Sequence, residues 1–309
     1  MFGFNDRLIV LMYHRVLAQP DAYRAGDVDG VAFDWQMATL KRFFNVLPLT
    51  EAAERLRGGS LASRAVAITF DDGYADNVEI ALPILQRHNL HATFFIATGY
   101  LDGGRMWNDT VIESVARAPG RHLDLAALGL DTYSLSGEGE RMGVIKDLLG
   151  RLKYLESRER LRLSAAIAST VGQPLPDNLM MTSAQLRTLS AAGMGIGAHT
   201  VSHPILSRVS DAESQAEIGG SVQRLRELVG QDISTFAYPN GRPGIDYSQR
   251  DIENVRRAGI QIAVSTAWGY ASAGTDIHQL ARIAPWDRSP ARFGLRVFRS
   301  YFGAPPTLL

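Results

Sequence analysis

Seven short apolar runs, each separated from the next by longer polar or amphipathic stretches, limit this chain more than any other feature. They cover residues 8–14, 66–70, 92–97, 195–199, 235–238, 261–265 and 280–284. Runs of this length, rich in β-branched and aromatic residues, read as strands, and the stretches between them carry helix-start chemistry. Thr182 with Gln185, and Ser210 with Glu213, each fit a capping box. Strand then helix, repeated, predicts an α/β fold with a parallel sheet. Polar residues gather at the strand ends, which favours a distorted (β/α)7-type barrel over an open sheet, because barrels collect their chemistry at the C-terminal rim. The stretch over about 102–177 exceeds what one crossover needs and carries a Glu- and Arg-rich helical pattern, so it predicts a helical insertion beside that rim. The whole chain, 1–309, then reads as one domain with a tail over about 288–309.

Composition removes several classes of function. Lys+Arg and Asp+Glu are both 32, so there is no basic surplus to suggest a nucleic-acid partner. Cysteine is absent, which excludes disulfides, thiolate metal sites and cysteine nucleophiles; any metal must be held by His, Asp or Glu. The first apolar run is too short for a signal-peptide core and leads into His14 and Arg15, and no apolar stretch reaches the roughly 20 residues of a membrane span. The expectation is a cytoplasmic protein, with export by another route and peripheral membrane attachment left open.

Two motifs carry chemistry. In Thr69-Phe70-Asp71-Asp72-Gly73 an apolar run delivers two adjacent carboxylates and a glycine. Strand alternation would point the two carboxylates apart, but a turn permitted by Gly73 lets one face a metal and the other face water. The same segment also fits an Asx turn capping a helix that starts near Asp76. In His199-Thr200-Val201-Ser202-His203 two imidazoles four residues apart converge on one ion if the residues between them make a helical turn. Asp72, His199 and His203 together form a carboxylate-plus-two-imidazole set suited to Zn2+, with Co2+ or Ni2+ as alternatives. A divalent ion lowers the pKa of water to about 7, and a neighbouring carboxylate, Asp71, completes its deprotonation. A third segment, Tyr238-Pro239-Asn240-Gly241, ends an apolar run in a turn. Either it is only a turn, or the Asn240 N–H serves an oxyanion while Tyr238 and Pro239 wall a sugar pocket.

These motifs, in this order, resemble the polysaccharide deacetylases of carbohydrate esterase family 4 over about residues 7–283. The resemblance implies a barrel that removes acetyl groups from N-acetylated sugars, with Asp71 as base and Asp72, His199 and His203 on the metal. The family's Arg-x-Pro-Tyr motif is altered: Ala237 stands in place of Arg and Asn240 in place of Tyr. Arg282, in a late strand, is the candidate to orient the base through a bidentate pair, a surface ion pair being the alternative. The family's C-terminal Leu-x-x-His has no counterpart, since His278 precedes its apolar run. Met12-Tyr13-His14-Arg15-Val16 resembles the opening strand of the biofilm-polysaccharide branch, whose permuted motif order implies that His14 is the general acid. A strand-end His that only hydrogen bonds to backbone is the other reading.

Trp107 and Asp109 read as a stacking face and a hydroxyl partner for a sugar, or equally as ordinary buried residues. The tail repeats Arg292, Arg296 and Arg299 on one helical face and Leu295, Phe298 and Phe302 on another. It either packs on the barrel or meets a membrane surface or a lipid-linked glycan. The sequence-based expectation is therefore a metal-dependent N-deacetylase acting on an N-acetylated glycan. Cleavage of an O-acetyl ester, a formamide or a non-sugar amide, and an inactive glycan-binding module, are the alternatives, and the oligomeric state is open.

Overall fold

A computed structural model describes residues 6–309. Its main sheet has nine strands: β1 Arg7–Tyr13, β2 Asn45–Val46, β3 Ala65–Phe70, β4 Thr93–Ile96, β5 Gly195–Ala198, β6 Thr235–Ala237, β7 Ile262–Trp268, β8 Ala271–Ser272 and β9 Leu280–Arg282. The path runs β8-β1-β3-β4-β5-β6-β7-β9, with β2 beside β3. Every pairing is parallel except β1 with β8. A bridge between Leu11 and Ile283 brings the last parallel strand back to the first, through Met12 N–H to the Ile283 carbonyl and Ile283 N–H to the Val10 carbonyl, both 2.9 Å. Seven parallel strands thus make a nearly closed barrel, and they are the seven apolar runs of the sequence. The two-residue strands β2 and β8 are too short to show a period.

Two cores follow from strand alternation. Val10, Ala67, Phe95, Ala237, Val264 and Leu280 share one cluster and fill the barrel, with Leu49, Ala52 and Leu56 of a helix at Leu49–Arg57 packed against it. Ile9, Leu11, Val66, Ile68, Phe70 and Phe236 belong to the other, which faces the surrounding helices. There Tyr13, Phe70 and Phe94 stack in neighbouring strands at 5.2 and 4.8 Å, and Phe33 of the helix Gly30–Phe43 meets Tyr13 edge-on at 5.3 Å. Capping boxes open the helices Ser183–Ala191 and Asp211–Val229 at Thr182 and Ser210, as the sequence predicts. The tail forms a helix at Pro290–Ser300 whose Phe293 and Val297, with Tyr301 just beyond it, join the outer core. Leu295 and Phe298 of that helix, and Phe302 just beyond it, are exposed.

The described residues divide into two compact units. The barrel unit holds residues 6–19, 26–101 and 181–309; the second unit holds 20–25 and 102–180. The second unit thus contains the 102–177 stretch and, with it, residues 20–25 and 178–180. Within it, helices Trp107–Arg117, Glu138–Lys153 and Ser157–Val171 enclose their own apolar core, and residues 122–124 and 132–134 pair as an antiparallel ribbon. Among the described residues no helix is long and apolar enough to cross a membrane.

The barrel interior has little spare room. A Cβ on Gly197 would lie 2.5 Å from the Phe95 ring and 2.5 Å from Thr235 Oγ1. Gly197→Val is expected to destabilise the fold by about 2–3 kcal/mol through overpacking. Urea unfolding measures this, and a change below about 0.5 kcal/mol would contradict the packing described.

Candidate active site

Ala67 and Thr69 point into the barrel, and the same row continues past the strand end to Asp71. Its carboxylate is 3% exposed and meets Arg282 of β9 in a bidentate pair, with Nη1 to Oδ1 and Nη2 to Oδ2 both at 2.7 Å. Arg282 is itself 1% exposed, and its Nε donates to the Ser265 carbonyl at 2.8 Å. Arg282 is thus no surface ion pair. Burial pushes the Asp71 pKa up, but the charges of Arg282, His199 and His14 outweigh it and hold the carboxyl below its ordinary range.

Simple alternation would send Asp72 to the outer layer. Instead its backbone turns into the left-handed region, with φ 75°, and Gly73 follows at φ 90°. A Cβ on Gly73 would sit 3.3 Å from two Ile96 side-chain atoms, so the turn needs both the conformation and the missing side chain. The result brings Asp72 Oδ1 within 3.4 Å of the Nε2 atoms of both His199 and His203. Burial raises the Asp72 pKa, and the contacts with His199 and His203, with a further electrostatic influence from His14, bring it well below the usual carboxylate range.

The two histidines converge by a route different from the expected helical turn. Residues 199–203 form an irregular loop in which Thr200 and His203 take positive φ, 65° and 54°. Such strain in non-glycine residues clusters at functional sites and must be held by surrounding contacts. Glu217, on the helix Asp211–Val229, supplies several of them: its carboxylate accepts from Val201 N–H at 2.9 Å, Ser202 N–H at 2.8 Å and Ser202 Oγ at 2.6 Å. Thr200 Oγ1 accepts from His203 N–H at 3.1 Å. The His199 ring contacts the Ala237 carbonyl through Nδ1 at 2.7 Å; a carbonyl can only accept, so Nδ1 carries a proton and Nε2 is the nitrogen turned toward Asp72. Asp72 Oδ1 is buried without a hydrogen-bond donor. One carboxylate oxygen and two imidazole nitrogens, all within 4.8 Å of one another, therefore fit a divalent cation.

His14 is half-buried just beyond β1 and lines a cavity of about 340 Å3 with Met12 and Trp286. Two residues that sequence reasoning did not assign hold this segment. Asp76 accepts from Arg15 Nε at 2.7 Å and Val16 N–H at 3.2 Å, while Asn77 Nδ2 donates to the His14 carbonyl at 2.9 Å. Their only signal is a polar pair at a helix start close to the two carboxylates. Glu217 has none.

The expected sugar-pocket residues need correction. Tyr238 is fully buried and stacks on Tyr247 at 3.9 Å in the outer core, so it cannot wall a pocket; alternation after Phe236 sends it there. Pro239 is buried. Asn240 has φ 59°, its carbonyl accepts from Thr266 Oγ1 at 2.7 Å, and its N–H has no acceptor among the described residues. Trp107 is 8% exposed in the core of the second unit, with the Arg160 guanidinium 5.1 Å from its ring centre. Asp109 is 1% exposed and pairs with Arg24 at 3.3 Å, an arginine that also holds Glu113 at 2.7 Å. Both residues build the unit's interior and present no face to a sugar.

A barrel rim that sets three residues able to hold a metal ion beside an ionised carboxylate has the parts that activation of water requires. The profile of the family described as polysaccharide deacetylase matches residues 58–122 and 159–263, more than half of the chain, and the chain belongs to that family. It is 21% identical to YxkH of Bacillus subtilis strain 168, itself named only provisionally as a polysaccharide deacetylase, over 90% of this chain and 71% of that protein. Two solved structures share the fold. One is the deacetylase PplD of Streptococcus pyogenes in complex with acetate, at TM-score 0.63 and 22% identity, covering 94% of this chain and 97% of that one. The other is a de-N-acetylase from Aggregatibacter actinomycetemcomitans, at TM-score 0.58 and 16% identity, covering 90% and 94%.

Arg282→Met would leave the Asp71 carboxylate buried without its partner. It is expected to cost about 3–5 kcal/mol, and Asp71→Asn in the same chain to recover part of that loss. Chemical denaturation of the two variants checks this, and a single-variant cost under about 1 kcal/mol would contradict a buried pair.

Proposed function

We propose that this protein hydrolyses the acetamide of an N-acetylated sugar in a glycan or glycoconjugate, giving acetate and a free amine. The observation that carries the reading is the convergence of Asp72, His199 and His203 beside an arginine-held Asp71. Those three residues would hold the divalent metal, with Zn2+ best suited to one carboxylate and two imidazoles and Co2+ or Ni2+ next. When bound, the ion supplies Lewis acidity toward the acetyl carbonyl and toward water.

The remaining steps belong to the chain's own side chains. Arg282 keeps Asp71 ionised, so that Asp71 can take the proton of the attacking water. The Asn240 N–H donates to the oxyanion that develops on the acetyl oxygen. His14 protonates the departing nitrogen, and Asn77 and Asp76 fix the backbone from which it does so. An amine is a poor leaving group without a proton, so an acid at His14 supports amide over ester cleavage. The name of the Aggregatibacter relative points the same way. A lipid-linked glycan stays among the substrates we propose, supported by the exposed Leu295, Phe298 and Phe302 of the tail.

Zinc-loaded protein incubated with N-acetylglucosamine oligomers tests this reading when acetate and free amine are measured together. The expected result is one acetate per amine, with kcat lowered about 10^2- to 10^4-fold in Asp71→Asn and in His14→Ala and KM changed little. Acetate without amine from an O-acetylated glycan would move the activity to esters. No turnover of any acylated substrate would overturn the reading.

A further inference from the structure

The buried Trp107 leaves open what a sugar stacks on, and two other tryptophans of the barrel unit stand half-exposed. Trp268 is 48% and Trp286 50% exposed, and their rings lie 5.0 Å apart, tilted by 33°. Trp268 ends β7 in register with Arg282, which places it one strand from the guanidinium that holds Asp71. Trp286 shares the His14 cavity. Indole faces pack well on apolar pyranose faces, and these two continue from the proposed acid toward the tail helix Pro290–Ser300.

Trp268 also lines a second cavity, of about 420 Å3, with Asp287 and with Arg292, Leu295, Arg296 and Arg299 of that helix. Arg296 is committed, lying 4.1 Å from the Trp286 ring centre and bonded to Asp287 at 2.9 Å. Arg292 and Arg299 form no ion pair with an acid among the described residues. The chain as a whole is neutral, yet residues 286–309 carry four arginines and one acidic side chain. Two exposed guanidinium groups without acids, lining one cavity beside an aromatic shelf, supply the charge that an anionic group would need.

We propose that Trp286 and Trp268 form a stacking shelf leading from His14 to an anion-accepting pair, Arg292 and Arg299. The preferred glycan then carries a carboxylate or phosphate on a sugar neighbouring the acetylated one. This inference rests on the deacetylase reading above for the identity of the sugar, and its test is kept separate from turnover.

Calorimetric binding to the full chain compares two tetrasaccharides: one alternating N-acetylglucosamine with glucuronate, and chitotetraose as its neutral counterpart. At low salt the anionic ligand is expected to bind about 10-fold more tightly. That preference should fall to about 2-fold or less in Arg292→Glu/Arg299→Glu and in about 1 M salt, because exposed charges are screened. Trp268→Ala/Trp286→Ala should weaken both ligands. Competition by N-acetylglucosamine 1-phosphate against free glucuronate tells phosphate from carboxylate. Equal wild-type affinities, or a preference that survives charge reversal, would overturn the proposal. A wild type that discriminates the two ligands while releasing acetate from neither would count against the deacetylase reading and leave the shelf standing.

Discussion

A carboxylate sealed inside a barrel stays ionised only if a cation is sealed in with it, and the pair between Asp71 and Arg282 meets that condition at the point where the barrel closes. Arg282 lies on the last parallel strand and Asp71 at the end of the second, with the first strand between them. The ion pair therefore spans the seam that the Leu11–Ile283 bridge makes. Desolvating either charge alone would cost several kcal/mol, so each fixes the other, and the rim geometry depends on both. Once Asp71 is held, the left-handed turn at Asp72 determines where the next carboxylate goes, and that turn is what brings it to His199 and His203.

The same logic organises the outer supports. The 199–203 loop and residues 14–15 are irregular backbone, and each is tied down by side chains from a neighbouring helix region, Glu217 in one case and Asp76 with Asn77 in the other. Helix termini and regular hydrogen bonding cannot satisfy such loops, so polar side chains do it instead. The barrel supplies rigidity, the loops supply function, and these side chains join the two.

How much of this was legible in the sequence depends on the range of the interaction involved. The seven strands were readable because each is a local apolar run, and the capping boxes at Thr182 and Ser210 because they are written within four residues. Asp71, Asp72, His199 and His203 stood out as motifs. Their convergence could be expected, but not its means, since nothing in Thr200 or His203 announces a positive φ. Arg282 could be proposed because Ala237 stands where the family's motif has its arginine, which left the base in need of another. Trp107, Asp109 and Tyr238 were misplaced for a common reason: the sequence shows an aromatic or acidic residue near a motif but not which surface it faces. Asp109 faces Arg24, 85 residues earlier, and Tyr238 faces Tyr247.

The central claim is that Asp72, His199 and His203 bind one divalent ion. Elemental mass spectrometry of zinc-reconstituted, desalted protein tests it most directly, with wild type measured beside His199→Ala/His203→Ala. The account predicts about one zinc per wild-type chain and none in the variant, because the variant keeps a single ligand of the three. Equal metal in both proteins, or none in a folded wild type, would contradict it.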